Sequence, residues 1–229
     1  MDLVITGANV LTMDRQNRRA EALAVDGGKI AAVGTTEEIE KMAGPDTEVL
    51  HAAGRTLIPG FVDVHNHFSK TTVQPVMVDC RVPVHSSIST ILDAISTAAK
   101  GTPRGRWIWG WGYRPWGLKE NRNVTRWELD EVAPDNPVCI IDGAVPHGAY
   151  VNSAALKLAG FDKDSPDPPH GQVLREDNGE PDGTLWEGAM DPIHALNFKS
   201  HLEYYEDSLA DLVYDNCMRH IACGITSVG

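Results

Sequence analysis

The chain is 229 residues long, 42% hydrophobic and 23% charged, a balance that supports a sizeable buried core and excludes a disordered or low-complexity protein. Its 32 acidic against 20 basic residues give a net charge of −12, which argues against nucleic acid or an anionic membrane surface as a partner. Asp2 stands where a signal peptide would carry its positive charge, and no run approaches ~18 apolar residues, so the expectation is a cytoplasmic protein without a membrane segment.

Residues 1–58 read as short strands and turns. Leu3-Val4-Ile5 is followed by Ala22-Leu23-Ala24-Val25 and Lys29-Ile30-Ala31-Ala32-Val33, and the Asp26-Gly27-Gly28 between the last two predicts a hairpin. Thr35 and Glu38 have capping-box spacing for a short helix that Gly44-Pro45 stops. Glu48-Val49-Leu50 and Arg55-Thr56-Leu57-Ile58 are further strands, completing a small antiparallel β unit too thin for a core of its own.

From Pro59 strands alternate with helices, the pattern of an α/β fold with a parallel sheet, and a barrel is the leading expectation. Leu57 to His67 runs through a Pro-Gly break and a short apolar stretch into two histidines one residue apart. On a β-strand side chains alternate, so His65 and His67 would point the same way, roughly 6–7 Å apart along the strand. Two imidazoles on one face can share a metal ion. A partly buried or surface histidine is the bland alternative; the Pro59-Gly60 entry, and Asp63 and Asn66 where a solvated face is not expected, favour the metal. On the first strand of a (β/α)₈ barrel the pair would lie at the active-site mouth.

Ile88, Ile91, Leu92, Ile95 and Ala98 have helical spacing across residues 86–100, ended by Gly101 and Pro103. Residues 106–113 form the next strand, with Trp107 and Trp109 assigned to the core and Trp111 and Tyr113, nearer its C-terminal end, to the pocket or the core. Thr125 and Glu128 form a second capping box, opening a helix that Pro134 closes, and residues 137–141 are a short buried strand. Residues 149–160 read as a helix ended by Gly160, and 162–170 as a surface loop. Residues 172–175 and 183–186 flank Asn178-Gly179 as an inserted hairpin. Tyr205, Leu209, Leu212, Val213, Cys217 and Ile221 mark one face of a helix, and residues 224–229 begin another strand. Cys80, Cys139, Cys217 and Cys223 form no C-x-x-C pair, so reduced buried thiols are expected. His51, His85, His170, His194, His201 and His220 have no metal-binding spacing; His220 falls in the last turn of its helix, where a cation complements the dipole.

The string Ile58 to His67 resembles the signature of the amidohydrolase superfamily of metal-dependent hydrolases, closest to the subgroup with formamide deformylase-like members. Thr125 to Pro134, Val151-Asn152-Ser153-Ala154-Ala155-Leu156, Gly183-Thr184-Leu185-Trp186-Glu187 and Gly224-Ile225-Thr226-Ser227 carry the same resemblance. It implies a partial (β/α)₈ TIM-type barrel over residues 59–229, preceded by residues 1–58 as the N-terminal part of a composite β-sandwich.

The resemblance further implies that His65 and His67 are the first two metal ligands and that Glu187 takes the place of a bridging carboxylated lysine. By residue type alone, Glu187 is more readily a first-turn acid favoured by a helix dipole than a ligand. His147 matches a substrate-facing histidine, although Val145-Pro146 stands where relatives carry Asp-Gly, and a loop histidine bonded to backbone remains the alternative. Trp111 and Tyr113 are the other candidate substrate contacts. The implied cofactor is a divalent metal, one or two ions, with zinc preferred for histidine-rich hydrolase sites.

A barrel alone typically takes ~250 residues, and about 170 follow Pro59. The family's later histidines and its aspartate base have no counterpart, so no catalytic residue is assigned within this chain, which is expected to be the N-terminal portion of a longer protein. Two functions follow: a metal-dependent hydrolase acting on a carbon–nitrogen non-peptide bond of a small amide, or a catalytically incomplete fragment that is structural or binds metal weakly. Exposed strand edges and helix faces would favour homo-oligomers.

Overall fold

The computed structural model describes residues 1–143 and 147–229. The chain divides into two compact units, 1–66 with 219–229, and 67–218. It is a mixed α/β protein.

The first unit contains β1 (Leu3–Thr6), β2 (Asn9–Leu11), β3 (Arg19–Ala20), β4 (Ala22–Asp26), β5 (Lys29–Gly34), α1 (Thr36–Glu40), β6 (Glu48–His51), β7 (Thr56–Leu57) and β8 (Phe61–Asp63). The predicted hairpin joins β4 to β5, with Asp26 opposite Lys29 and the positive φ of its turn, 57° and 73°, carried by Gly27 and Gly28. Thr35 caps α1 in a reciprocal box, its hydroxyl accepting from Glu38 N while Glu38 accepts from Thr35 N.

The unit is not purely antiparallel as the sequence suggested. β1 runs antiparallel to β4 but parallel to β6, and β2 parallel to β7. The crossover through α1 reverses the chain before β6, where a tight turn would have given an antiparallel strand. Two small buried clusters form, Val4, Ala22, Ala24 and Ile39 in one, and Ala8, Val10 and Ala52 in the other.

The second unit contains α2 (Phe68–Val73), β9 (Val78–Asp79), α3 (Ile88–Gly101), β10 (Ile108–Tyr113), α4 (Arg126–Val132), β11 (Val138–Asp142), β12 (Gly148–Val151), α5 (Ser153–Ala159), β13 (Gly171–Arg175), β14 (Pro181–Glu187), α6 (Asp191–Tyr204) and α7 (Leu209–Ala222), whose last turn is counted with the first unit. The chain ends in β15 (Ile225–Val228), which pairs in parallel with β8.

The six-stranded sheet has the order β13-β14-β12-β11-β10-β9. β9, β10 and β11 are parallel, with α3 and α4 as crossovers, while β11, β12, β14 and β13 are antiparallel. Both faces are covered. Val138 and Ile140 pack with Ile88, Ile91, Ile95 and Leu129, and Cys139 and Ile141 pack with Trp107, Trp109, Leu185 and Ile193, which is why β11 is apolar at successive positions.

Several expectations need correction. Residues 149–160 are not one helix: Tyr150 and Val151 complete β12, and Asn152 caps α5 by accepting from Ala155 N. The hairpin β13–β14 is no separate insertion, because β14 pairs with β12 and extends the main sheet. Tyr205 precedes α7, whose buried residue is Asn216, while Val213 and Ile221 on the expected face are 38% and 55% exposed. Cys80 and Cys139 are buried, and burial pushes both thiols up to about 12, but Cys223, in the turn after α7, is exposed.

Thr125 caps α4 as predicted, and Glu128 accepts from Thr125 N at 2.9 Å and from Arg122 Nη2 at 2.6 Å. The Arg122 guanidinium, with the Thr125 bonds, brings the Glu128 carboxyl down to about 2. A depressed folded-state pKa stabilises above the unfolded value and loses that contribution as pH falls. Stability is therefore expected to drop by roughly 1–2 kcal/mol as pH falls from about 4.5 to about 2, allowing for solvent screening; urea titrations of the parent and Glu128→Gln, the latter with a flatter acid limb, check this.

Candidate active site

β8 ends at Asp63, short of both histidines. His65 lies in the turn that follows, and His67 is the N-cap of α2 in the second unit with φ −98° and ψ 53°. The strand-alternation argument for a shared face therefore does not apply. Both imidazoles are exposed.

Asp63 organises this turn. Its Oδ1 accepts from His65 N at 3.2 Å and its Oδ2 from Asn66 Nδ2 at 2.7 Å, and these bonds, the Asn66 one foremost, hold its carboxyl below the usual range. Asn66 Nδ2 also lies 3.1 Å from His220 Nε2, while Asn66 Oδ1 is buried and has no donor among the described residues. In the second unit Asn216 Nδ2 holds the first turn of α2, lying 3.0–3.1 Å from Phe68 O, Thr71 Oγ1 and Thr72 Oγ1.

Glu187 ends β14. Its N–H donates to His147 O at 3.0 Å, and its carboxylate lies 2.8 and 2.9 Å from His147 Nδ1. Register places this pair at one edge of the sheet. Gly148 is opposite Trp186, and Ala149 is opposite both Leu185 and Ile141, so His147 and Glu187 lie where β10 and β11 end. The C-terminal ends of parallel strands are where α/β folds place their chemistry. Glu187 has φ 51° and ψ −126°, a conformation a non-glycine residue adopts at a cost of about 1–3 kcal/mol, of the kind that clusters at functional sites. Val145 and Pro146, where the sequence departs from the family pattern, lie outside the described residues.

The two aromatic candidates separate. Trp111 is half-buried, with the Arg81 guanidinium 4.5 Å from its ring centroid and Arg81 itself bonded to Asp79. Tyr113 is corrected to the core: the register of β10 shifts between Gly110 and Tyr113, Gly112 takes φ 81°, and the Tyr113 ring turns inward against Tyr150. Its hydroxyl donates to Arg122 O and accepts from Val124 N. A cavity of about 60 Å³, lined by Arg106, Trp109, His201 and Tyr204 among others, sits at the opposite edge where β10 begins. Burial there lowers the His201 pKa, so its ring is neutral.

The structure thus brings His147 and Glu187 together, and among the described residues no group of three or more His, Cys, Asp or Glu side chains is gathered to hold an ion. By donor type, the imidazoles of His65 and His67 and the Glu187 carboxylate fit a borderline divalent cation. Asp63, Asn66 and Asn216 were not assigned a role by spacing. Asp63 and Asn66 did signal themselves as polar residues closing an apolar strand; Asn216 gave no signal.

The amidohydrolase family profile matches residues 48–228. The chain belongs to the amidohydrolase family. A shorter segment, residues 22–42, matches the imidazolonepropionase-like composite domain of bacteria. This amidohydrolase chain is 40% identical over 228 residues to an N-substituted formamide deformylase of Arthrobacter pascens, covering 100% of its own length and 42% of the relative's. It is 31% identical over 216 residues to the putative amidohydrolase YtcJ of Bacillus subtilis, covering 94% of its own length and 40% of that protein. Among solved structures, an uncharacterized metal-dependent hydrolase from Pyrococcus horikoshii superposes with a TM-score of 0.68 at 22% identity, over 99% of this chain and 42% of the other. The likeness to that structure concerns the fold.

Proposed function

We propose that this amidohydrolase chain is the N-terminal portion of a metal-dependent hydrolase that cleaves a carbon–nitrogen non-peptide bond of a small amide. The observation that carries it is the Glu187–His147 pair, on a strained backbone, at the edge where the parallel strands end. The 40% identity to an N-substituted formamide deformylase supports formamides as the first substrates to try. β8 to β11 are proposed as the opening strands of a (β/α)₈ barrel, and the remainder of residues 1–58 as part of a composite β-sandwich.

His65, His67 and Glu187 are the proposed metal-holding residues, with zinc preferred and one or two ions bound. A divalent ion supplies a polarised carbonyl and a water acidic enough to attack at neutral pH. The residues of this chain do the holding. Asp63 and Asn66 fix the His65 turn, His147 fixes the Glu187 carboxylate, and Trp111 with Arg81 is proposed to face the amide substrate. Further ligands and the base are proposed to come from sequence of the kind that fills the rest of the relatives' length. Among the described residues no helix is long and apolar enough to cross a membrane, and a cytoplasmic, self-associating protein is proposed.

A second reading, for the 229 residues alone, is a structural or weakly metal-binding module, supported by their covering 42% of the deformylase's length and 40% of YtcJ's. Metal analysis with an amide panel, run on this chain and on a longer polypeptide continuing it, separates the two. Metal-dependent turnover is expected of the longer form only. Robust turnover by the 229-residue chain would overturn its incompleteness, and an inert, metal-loaded longer form would overturn the hydrolase.

A further inference from the structure

We propose that His220 and Asn66 are positioning residues for His65, gripping its turn through the hydrogen-bonded series Asp63, Asn66, His220. The functional consequence rests on the metal-ligand role proposed for His65; the positioning itself rests on the hydrogen bonds.

The Asp63 carboxylate only accepts, so the Asn66 atom 2.7 Å from its Oδ2 is the amide nitrogen, which fixes the orientation of that side chain. One Nδ2 hydrogen is thereby committed to Asp63. The other is directed at His220 Nε2, 3.1 Å away, which must accept and so leaves the ring proton on Nδ1. His65 enters through its own N–H, donated to the other oxygen of Asp63 at 3.2 Å.

His220 lies 154 residues from Asn66 in sequence, in the last turn of α7, and ties that turn to the end of β8. The backbone closes the same grip from another side. Asn66 N donates to Gly229 O at 3.2 Å, and Gly229 N to Asp63 O at 2.8 Å, as a continuation of the β8–β15 pairing. Asn66 Oδ1 is a buried acceptor without a donor among the described residues, a cost set against the two bonds its nitrogen makes. Groups bonded directly to a ligating imidazole orient it, and their loss typically weakens metal binding by 10–100-fold; Asn66 and His220 act on the His65 backbone through Asp63, so their loss is expected to cost less.

The test uses the 229-residue chain and its His220→Ala, Asn66→Ala and His220→Gln variants. It measures amide hydrogen exchange at His65, the nitrogen shifts of the His65 ring, and affinity for zinc ion alone by competition with a chelator. Both alanine variants are expected to speed His65 exchange, move its ring shifts and weaken zinc by up to about 10-fold, the low end of the range for groups that touch the ligand itself. His220→Gln, whose Oε1 can accept from Asn66 Nδ2, is expected to restore all three. Unchanged exchange and shifts in the alanine variants would overturn the proposal, as would a glutamine variant as impaired as the alanine one. If exchange and shifts respond while neither the parent chain nor a longer polypeptide continuing it takes up zinc, the positioning stands and the metal role of His65 falls.

Discussion

Replacing His65 and His67 together by alanine is expected to lower zinc affinity at least about 100-fold, beyond the 10–100-fold typical of changes outside the ligand shell. Ligands contribute directly bonded electron pairs, whereas outer residues only aim them, so the double variant should exceed any single change at Asp63, Asn66 or His220. Both histidines are exposed, and surface substitutions usually alter folding stability by no more than ±0.5 kcal/mol. Lost metal affinity with an unchanged urea midpoint would thus report on coordination. Glu187→Gln sharpens the comparison: the amide keeps an oxygen for His147 but loses the charge a cation needs. Its affinity should fall as well. Affinity unchanged in both variants would remove these residues from the site.

How far the sequence reveals the fold depends on whether burial there is apolar. The capping boxes at Thr35 and Thr125, the Asp26-Gly27-Gly28 hairpin and the face of α3 were legible because each depends on local chemistry or a regular apolar period. α6 was not. The residues it buries are Ile193, Asn197 and His201, spaced by four but two of them polar, so no apolar stripe announces the helix. α7 misled for the same reason, since it buries Asn216 and leaves Val213 and Ile221 exposed. At the candidate site, the pairing of His147 with Glu187 spans 40 residues and is created by β12 lying beside β14, a register that nothing in the spacing of either residue encodes. Tyr113 shows the converse. Its place on the strand was right, but the positive φ of Gly112 turns the ring to the other face.

Asn152→Ala is expected to destabilise the protein by about 3–5 kcal/mol, although Asn152 belongs to a segment that carries the family resemblance and lies outside the candidate site. The side chain is fully buried. Its Oδ1 accepts from Val138 N at 2.9 Å and from Ala155 N at 3.1 Å, and its Nδ2 donates to Asn136 O at 2.9 Å and Ala133 O at 3.4 Å. One residue thus caps α5, starts β11 and closes the turn after α4. Alanine removes the cap, worth about 1 kcal/mol, and leaves Val138 N–H and Asn136 O in a dry interior at roughly 1–3 kcal/mol each, not fully additive. Aspartate discriminates the causes, because it can still accept from both N–H groups but turns an oxygen toward the carbonyls of Ala133 and Asn136 and introduces a buried charge. Asn152→Asp should therefore be no better than alanine, whereas if capping alone mattered it would match the parent. Urea unfolding followed by circular dichroism reads both, and a loss under about 1 kcal/mol in the alanine variant would show that water replaces these bonds. The segment's likeness to its family would then need a cause other than the joint it makes between α4, β11 and α5.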